Sequence, residues 1–331
     1  MKIWNNEKAA AIEAVIAASK LCENVRQRLN AGDHKEKEDR SPVTIADYGS
    51  QAVILSHLAK AFPNDPAVAE EDAAELTGAT DLRQRIITEV QTIDPDATEH
   101  SVITAIDRGN YGGIEGRFWT LDPIDGTKGF LRQDQYAVAL ALIENGEVVL
   151  SVLGCPALPH NLDLPHGGAG CLLVSQLHHG TEIYDMQGHM LSGAVVDDNF
   201  NPALSTICES VESGHSKHDW AAAIAEKLGV KTQSIRMDSQ CKYAAVARGD
   251  ASIYLRLPTR PGYQEKIWDH AAGMLAVVEA GGRVTDMNGA PLDFAKGQTL
   301  SANSGVVASN LHVHDAVLQA IAETKNEYLP R

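Results

Sequence analysis

Leu121-Asp122-Pro123-Ile124-Asp125-Gly126-Thr127 is the stretch of this sequence that indicates both a local fold and a chemistry. The β-like run Arg117-Phe118-Trp119-Thr120-Leu121 precedes it, so we expect a strand to deliver Asp122 to a turn. Proline fixes the backbone dihedral φ at the start of that turn, and Gly126 permits the tight bend at its end. Two carboxylates three residues apart, with the Ile124 carbonyl between them, can present three oxygens to one small space.

An oxygen cluster of this kind is the donor set that Mg²⁺ prefers, because this hard cation binds carboxylate, carbonyl and water oxygens. The backbone N–H groups around Gly126 and Thr127 would then be free to point at a phosphate. The simpler interpretation is an Asp-Pro turn followed by a helix cap. Other acidic groups are therefore needed to support a metal site.

Two further acidic segments provide that support. Glu70-Glu71-Asp72 follows a short apolar run at a predicted strand end, and Asp269 follows Trp268 at the start of an apolar helix. Taken separately, the triplet is typical of a solvated loop, and Asp269 of a helix N-cap. Together with Asp122 and Asp125 they provide enough carboxylates for two or three Mg²⁺ ions about 3.5–4 Å apart, the spacing of phosphoryl-transfer sites.

The composition limits the class of partner. The 331 residues include 28 Lys and Arg against 44 Asp and Glu, a net charge of −16, which disfavours nucleic acids and anionic membranes as partners. Apolar residues make up 44% of the chain and charged residues 22%, as in ordinary globular proteins. The length predicts two subdomains or one large multilayer domain. We expect an N-terminal α+β half over 1–200 with most of the candidate metal ligands, and a C-terminal α/β half over 201–331 with the last of them.

The cysteines indicate a reducing compartment. They are odd in number and form no C-x-x-C pair, which favours free thiols over disulfides or a thiolate metal site. They are Cys22, Cys155, Cys171, Cys208 and Cys241. The N-terminal segment has no apolar signal-peptide core, and no uncharged apolar run reaches the roughly 18 residues that span a bilayer. We therefore expect a cytoplasmic protein.

Apolar spacing predicts the secondary structure along the chain. It predicts helices over 7–29, 46–62, 81–90, 220–228, 243–248 and 268–280. It predicts strands over 68–72, 117–121, 136–143, 148–153, 171–174 and 251–257. The segments 94–116 and 160–170 have no clear period and are interpreted as loops. Helices and strands alternate in both halves, which favours a layered architecture of helices and sheets.

Three segments resemble the signatures of the lithium-sensitive, Mg²⁺-dependent phosphatases typified by inositol monophosphatase. They are Glu70-Glu71-Asp72, Asp122-Pro123-Ile124-Asp125-Gly126-Thr127 and Trp268-Asp269-His270-Ala271-Ala272-Gly273. Several others are similar to the 3′(2′),5′-bisphosphate nucleotidase branch of that superfamily. Among them are Ser41-Pro42-Val43-Thr44-Ile45-Ala46-Asp47-Tyr48, Asp238-Ser239-Gln240-Cys241-Lys242-Tyr243 and Tyr254-Leu255-Arg256-Leu257-Pro258.

The resemblance implies a fold and a reaction. The fold is a layered αβαβα sandwich with the metals between its halves. The reaction is Mg²⁺-dependent hydrolysis of the 3′-phosphate of adenosine 3′,5′-bisphosphate to AMP and phosphate, and of 3′-phosphoadenylyl sulfate to adenylyl sulfate. Two or three Mg²⁺ ions would act, and Li⁺ would inhibit by occupying one Mg²⁺ position. The partner is then a small molecule, and we expect a monomer.

The resemblance also assigns roles by position. The metal ligands it implies are Glu70, Asp122, the Ile124 carbonyl, Asp125 and Asp269, with Glu71 as an outer partner. Asp47, expected in the first turn of its helix, and Thr127 would orient and deprotonate the attacking water. The substrate contacts it implies are Gly126, Thr127, His215, Ser239, Lys242 and Arg256. It thereby places the nucleotide contacts in the C-terminal half, 201–331.

Two alternatives remain open. An inositol phosphate or polyphosphate 1-phosphatase would share the metal chemistry but not the nucleotide contacts. A catalytically idle sensor of nucleotide or metal is a different class of protein, and the complete set of acidic motifs argues against it. His166, His178 and His179 have no ligand spacing and are interpreted as surface histidines.

Overall fold

The first half of the chain builds one seven-stranded sheet in the order β1 to β7. The strands are β1 (Ala67–Ala69), β2 (Arg117–Asp125), β3 (Ala137–Glu144), β4 (Glu147–Cys155), β5 (Cys171–Gln176), β6 (Gly180–Tyr184) and β7 (Met190–Ala194). This computed structural model describes residues 2–30, 42–112, 115–159, 162, 170–212, 217–260 and 262–329. β1 is parallel to β2, and the other neighbours are antiparallel. β3 and β4 are apolar and buried on both faces, so layers of helices must cover the sheet on each side.

Two long helices cover one face of this sheet. They are α1 (Asn5–Asn30), which packs on β3 and β4, and α2 (Pro42–Ala61), which packs on β2. The shorter helices α3 (Thr80–Gln91) and α4 (Glu99–Asp107) lie against α2. The side chains of alternate residues in β2 face opposite layers, since Trp119 packs with these helices and Phe118 packs on the other side.

The second half builds a five-stranded sheet in the order β11-β12-β10-β8-β9. Its strands are β8 (Ile207–Glu209), β9 (Ile235–Arg236), β10 (Ile253–Arg256), β11 (Gly282–Thr285) and β12 (Val306–Asn310). Between the two sheets lie α7 (Cys241–Ala247) and α8 (Ala271–Glu279), and α6 (His218–Leu228) and α9 (His314–Tyr328) cover the outer face. A short helix, α5 (Thr127–Arg132), follows β2. The layers therefore run α, β, α, β, α, and the predicted sandwich is confirmed.

Some element boundaries differ from those that apolar spacing predicts. α4 lies inside the segment 94–116, which was interpreted as a loop. The helix begins at a reciprocal capping box between Thr98 and Ser101, and its nine residues are too few to show a clear helical period of apolar residues. α2 begins at Pro42, so the expectation that Asp47 lies in the first turn was wrong, and it lies in the second. α8 begins at Ala271 rather than 268, so Asp269 precedes the helix instead of capping it.

The central helix α8 belongs to the cores of both halves. It packs on β3 to β6 of the first sheet and on β11 and β12 of the second. Every strand of the first sheet precedes residue 200 and every strand of the second follows it, yet one apolar cluster spans both. The division at 200/201 stays a prediction.

Two further observations bear on the sequence expectations. All five cysteines are buried free thiols, as predicted. Among the described helices, none combines the length and the apolar character needed to cross a membrane. Most of the turn-rich segment 160–170 and His166 lie outside the described residues.

Gly273 allows a close approach between the two central helices, α7 and α8. A Cβ at this position would overlap the ring of Tyr243 and lie 2.7 Å from the Tyr243 Cβ. Replacing glycine by alanine in an unhindered helix stabilises it by about 1 kcal/mol. Here we expect Gly273→Ala to lower the free energy of unfolding by about 1–3 kcal/mol, because the core is overpacked. Urea unfolding measures the change, and a stabilised variant would contradict this packing.

A matched control lies on the same helix. Val278 is 38% exposed on α8, so Val278→Ala should change the free energy of unfolding by no more than about 0.5 kcal/mol.

Candidate active site

The ends of two parallel strands bring the first carboxylates together. Ala69 at the end of β1 is in register with Leu121 of β2, so the next residues, Glu70 and Asp122, lie side by side. Their carboxyl groups share a hydrogen bond. Asp122 is 2% exposed and Glu70 is open to solvent, so the pair has one buried and one accessible member. The structure thus joins two motifs that are about fifty residues apart in the sequence.

The strand β2 changes register where its acidic residues lie. Its pairing with β3 shifts between Asp122 and Asp125. The Ile124 N–H donates to the Asp122 carboxylate at 3.1 Å, which folds this segment into a local turn. Gly126 then has φ of +89° and is followed by α5. A glycine is required here, because this left-handed conformation disfavours side chains and a Cβ would lie 2.8 Å from the Cβ of Ser239.

The helix α2 holds both acidic loops from behind. The Ser50 hydroxyl donates to the Pro123 carbonyl at 2.9 Å. The Gln51 side chain donates to the Glu71 carbonyl at 2.7 Å and accepts from the Glu71 N–H at 3.0 Å. Both side chains are fully buried, so these hydrogen bonds are shielded from water. One turn earlier on the same helix lies Asp47, which is buried beside them.

Gln240 connects the third acidic segment to the first two. Its N–H donates to the Asp125 carboxylate. Its side-chain amide donates to the Trp268 carbonyl at 2.9 Å and accepts from the Gly273 N–H at 3.1 Å. One buried residue, through its backbone N–H and its side chain, therefore links Asp125 to the segment that precedes Asp269.

Asp72, the last residue of the acidic triplet, has a structural role instead. Its carboxylate accepts from the Ala74 N–H at 2.8 Å and from the Asn110 side chain at 2.9 Å. It is the N-cap of a short 3₁₀ helix, Ala73–Leu76. These hydrogen bonds lower the pKa of Asp72, so its carboxylate is engaged in capping and Glu70 and Glu71 remain for the site.

The electrostatics of the carboxylates show that they repel one another. Burial raises the pKa of Asp122 well above its usual value, and the carboxylates of Glu70 and Asp125 raise it further. Burial also raises the pKa of Asp269, which Arg256 partly offsets. The pKa of Asp47 is raised by burial and by Glu71. Such a cluster is unfavourable unless a cation neutralises it.

The donor set therefore fits a hard divalent cation. Four carboxylates lie close enough to perturb one another electrostatically, and all of the candidate donors are oxygen atoms, as Mg²⁺ prefers. The carboxylates are Glu70, Asp122, Asp125 and Asp269, and the Ile124 carbonyl lies between Asp122 and Asp125 in the chain. Mutual repulsion within the cluster would be relieved by the bound charge.

A second group of possible ligands turns out to be an ion-pair network. Glu265, Asp269 and His270 have donor atoms within 4.8 Å of one another. However, the Arg256 guanidinium donates to Glu265 at 2.8 Å, and His270 lies 3.3 Å from the same carboxylate. Tyr243 occupies the other His270 nitrogen at 2.8 Å. Burial alone would raise the pKa of Glu265, but Arg256 and His270 lower it to about 2, so Glu265 is ionised and already paired. Only Asp269 of this group remains available to a metal.

Arg256 lies at the boundary between the carboxylates and an adjacent pocket. Its guanidinium is 3.5 Å from Asp269. The pocket, here called the inner pocket, has a volume of about 280 Å³. Its lining residues are Arg256, Leu257, Pro258, Thr259, Arg260, Tyr263 and Glu265. A ligand that reaches the carboxylate cluster can therefore extend a second anionic group towards Arg256.

Two other predicted substrate residues, Ser239 and Lys242, do not line the inner pocket. Ser239 has φ of +64° and its hydroxyl accepts from the Cys241 N–H, packed against Gly126. Lys242 is buried; its ammonium donates to the Met237 carbonyl at 3.2 Å, and burial lowers its pKa. Both lie beside the acidic loop, since Asp125 is an electrostatic partner of Lys242. His215 lies outside the described residues.

The proposed proton-transfer pair lies on two helices in contact. Asp47 is on α2 and Thr127 is the first residue of α5, and these helices pack against each other. Asp47 is buried and Thr127 is exposed. Within the described part of the chain no hydrogen bond joins the two side chains, so their shared role stays a prediction.

Sequence reasoning missed the buried residues that position the ligands. Gln51, Gln240 and Glu265 carry no metal-ligand or phosphate signal of their own. These residues lie in segments that were predicted to be apolar or that carry a motif. That position was the only indication of their role, since a buried polar side chain must find hydrogen-bond partners.

Comparisons with known proteins agree with this geometry. The sequence profile of the inositol monophosphatase family matches residues 4–326. A 3′(2′),5′-bisphosphate nucleotidase from Schizosaccharomyces pombe is 46% identical, over 96% of this chain and 96% of its own length. A protein of the same description from Oryza sativa is 44% identical, over 97% and 95%.

The fold has solved relatives as well. An inositol monophosphatase from Zymomonas mobilis superposes with a TM-score of 0.63 at 18% identity, and the match covers 97% of this chain and 100% of the Zymomonas mobilis chain. This likeness shows the fold alone. The profile match and the two sequence relatives show that the chain belongs to the inositol monophosphatase family, among relatives described as 3′(2′),5′-bisphosphate nucleotidases.

Proposed function

We propose that this protein is a Mg²⁺-dependent phosphatase that removes the 3′-phosphate of adenosine 3′,5′-bisphosphate, giving AMP and phosphate. The observation that carries the proposal is the position of Arg256, which contacts Asp269 of the carboxylate cluster and lines the inner pocket. A substrate with two separate phosphates would place one at the cluster and the other at Arg256. The relatives at 44–46% identity carry the name of this activity. 3′-Phosphoadenylyl sulfate would be accepted by the same arrangement.

Different residues of the chain would hold the metal, bind the phosphate and activate the water. Glu70, Asp122, Asp125, Asp269 and the Ile124 carbonyl would hold Mg²⁺, which supplies positive charge to the phosphoryl group and makes water more acidic. We expect two or three ions with Glu71 as an outer partner, and Li⁺ would compete for one position.

The turn after β2 would bind the reacting phosphate. The N–H groups at Gly126 and Thr127 lie at the start of α5, where backbone donors are not satisfied within the helix. The Thr127 hydroxyl would take up the proton of the attacking water while passing its own proton to the Asp47 carboxylate on α2, which acts as the base.

The nucleotide contacts favour this substrate over an inositol phosphate. Ser239 and Lys242 flank the acidic loop from the second half of the chain, and Arg256 supplies a fork of donors for the remaining phosphate. An inositol polyphosphate 1-phosphatase is the second candidate, because it would use the same carboxylates. A cytoplasmic location and a monomeric state remain our predictions.

A substrate panel tests the proposal directly. We expect phosphate release from adenosine 3′,5′-bisphosphate to require Mg²⁺, to fall when Li⁺ is added, and to exceed release from inositol 1,4-bisphosphate by at least about tenfold in kcat/KM. The measurement is phosphate release by the purified protein with and without each ion. Preference for the inositol substrate would replace the first candidate with the second, and Mg²⁺-independent turnover would remove the metal assignment.

A pair of substitutions tests the water-activating residues. Asp47→Asn and Thr127→Ala should each lower kcat by about 10²-fold or more, because each removes a proton-transfer group without removing a proposed metal ligand. Calorimetric titration should show that Mg²⁺ still binds. Thr88→Ala, at an exposed threonine of α3, is the matched control and should retain wild-type turnover. Near-normal turnover in the first two variants would overturn their assignment.

A third substitution tests the recognition residue. Arg256→Gln should weaken AMP binding by about tenfold or more, because a charge-assisted hydrogen bond to phosphate is lost. Equilibrium binding of AMP measures this effect. Arg283→Gln, at a surface arginine paired with Asp315, removes the same charge elsewhere and should leave AMP affinity within about twofold. Equal effects of the two substitutions would mean that total charge, rather than Arg256, sets the affinity.

A further inference from the structure

A cavity separate from the inner pocket lies beside the long helix α1. It has a volume of about 760 Å³ and is here called the α1 cavity. Its walls come from α1, from Gln133 at the end of α5, from Pro156 and Ala157 after β4, and from the turn between β6 and β7. Among the described residues, none lines both this cavity and the inner pocket. Cavities of about 300–1,000 Å³ are the size that binds small molecules, so the α1 cavity has room for one.

Arg26 of α1 contributes a buried positive charge to this cavity. It lines the cavity and is only 7% exposed. Its Nε donates to the side-chain oxygen of Gln133 at 2.7 Å. In the described part of the chain, no carboxylate lies within ion-pair distance of Arg26, and its two terminal nitrogens have no hydrogen-bond partner. A buried cation without a counter-ion is unfavourable, so this group is completed by an anion.

The neighbours of Arg26 hold its guanidinium in one orientation. Gln133 engages the Nε side, and the ring of Tyr136 covers one face, with 5.5 Å from the guanidinium carbon to the ring centre. The edge that carries Nη1 and Nη2 is left for a ligand. Two parallel N–H donors at this edge match the two oxygens of a carboxylate, which arginine binds in a bidentate pair. Because the guanidinium is already fixed, little side-chain entropy is lost on binding.

The other charged residues of the cavity favour a ligand with a single negative charge. Lys20 and Glu23 line the cavity together with Arg26, so its described lining carries two positive charges and one negative charge. This surplus of positive charge is a local exception in a chain with a net charge of −16. A dianion such as phosphate is repelled by Glu23, whereas a carboxylate has the one charge that balances the lining.

The rest of the α1 cavity offers an apolar surface. Ile16, Ala157 and Met186 are partly buried and pack against the hydrophobic core of the first half. A methionine side chain adapts its shape to what it contacts. A ligand that fills this cavity therefore has an apolar body next to its charged group, and burial of that body contributes to its affinity.

We propose that the α1 cavity binds a small organic monocarboxylate, whose carboxylate pairs with Arg26 and whose apolar body packs on Ile16 and Met186. The cavity contains none of the residues to which a catalytic, metal-binding or nucleotide-binding role is assigned above. The inference therefore stands independently of the proposed function.

Two probes that differ in charge test this proposal. 3-Phenylpropionate carries a carboxylate and an apolar ring, and 3-phenylpropionamide is its neutral counterpart. In ligand-observed NMR titrations of the purified protein, the carboxylate should bind at least about tenfold more tightly than the amide, because only the carboxylate forms a charge-assisted pair with Arg26. Absence of carboxylate binding, or equal affinity for the two probes, overturns the proposal.

Substitutions assign the binding to this cavity. Arg26→Gln should weaken binding of 3-phenylpropionate by about tenfold or more and leave that of the amide unchanged. Arg28→Gln, at an exposed arginine of the same helix that pairs with Glu89, is the matched control and should leave both affinities within about twofold. Gln187→Trp, at an exposed residue of the lining, should weaken binding of both probes because the indole fills the cavity.

Arg256→Gln distinguishes the α1 cavity from the inner pocket. Retained carboxylate binding in Arg256→Gln, with loss in folded Arg26→Gln, supports the proposal. The reverse result places the probe in the inner pocket and overturns it. If circular dichroism shows that Arg26→Gln does not fold, the two probes and Gln187→Trp carry the test, and unchanged carboxylate affinity in Gln187→Trp then overturns the proposal.

Discussion

Repulsion among buried carboxylates is the constraint on which the rest of this structure depends. Burial raises the pKa of Asp122 and Asp269, and their acidic neighbours raise both further. Left alone, these groups would move apart or take up protons. Neutral side chains keep the acidic segments from moving apart. The side chains of Gln51 and Gln240 donate hydrogen bonds to backbone carbonyls of these segments, so they leave the carboxylate oxygens for a cation. The exception is one Asp125 oxygen, which accepts from the Gln240 N–H.

The same constraint explains why the two sheets share a central layer. Asp269 precedes α8, and α8 packs on both sheets. The ligand contributed by the second half is therefore positioned by a helix that also forms part of the first half's core. Gly273 and Tyr243 set how closely α8 approaches α7, and Gln240 at the start of α7 contacts the acidic turn after β2. Helix packing and ligand geometry are consequently not independent, and an overpacked α8 would disturb both.

The sequence predicted those site residues whose side-chain chemistry and local sequence pattern both indicate a role. Asp122 and Asp125 flank a proline on a predicted strand end, and Glu70 follows a short apolar run, so local rules locate them. α4 was not predicted, because nine residues carry too few periods and its start signal is a Thr-Ser capping box rather than an acidic one. Gln51 and Gln240 were not predicted, since a buried glutamine is recognised only through partners brought close by the fold. The pairing of Arg256 with Glu265 is of the same tertiary kind.

The net charge of −16 disfavours extended polyanions as partners. The structure shows that the acidic excess and the positive charge are separated near the site. In the proposed function the carboxylate cluster would need cations before it could accept a phosphate, whereas Arg256 is a fixed charge of the chain that is paired with Glu265. Affinity for the phosphate that is cleaved would then depend on the metal, while affinity for the remainder of the nucleotide would depend on the chain itself. Substrate selectivity would accordingly change through the inner pocket without any change in the residues proposed to hold the metal.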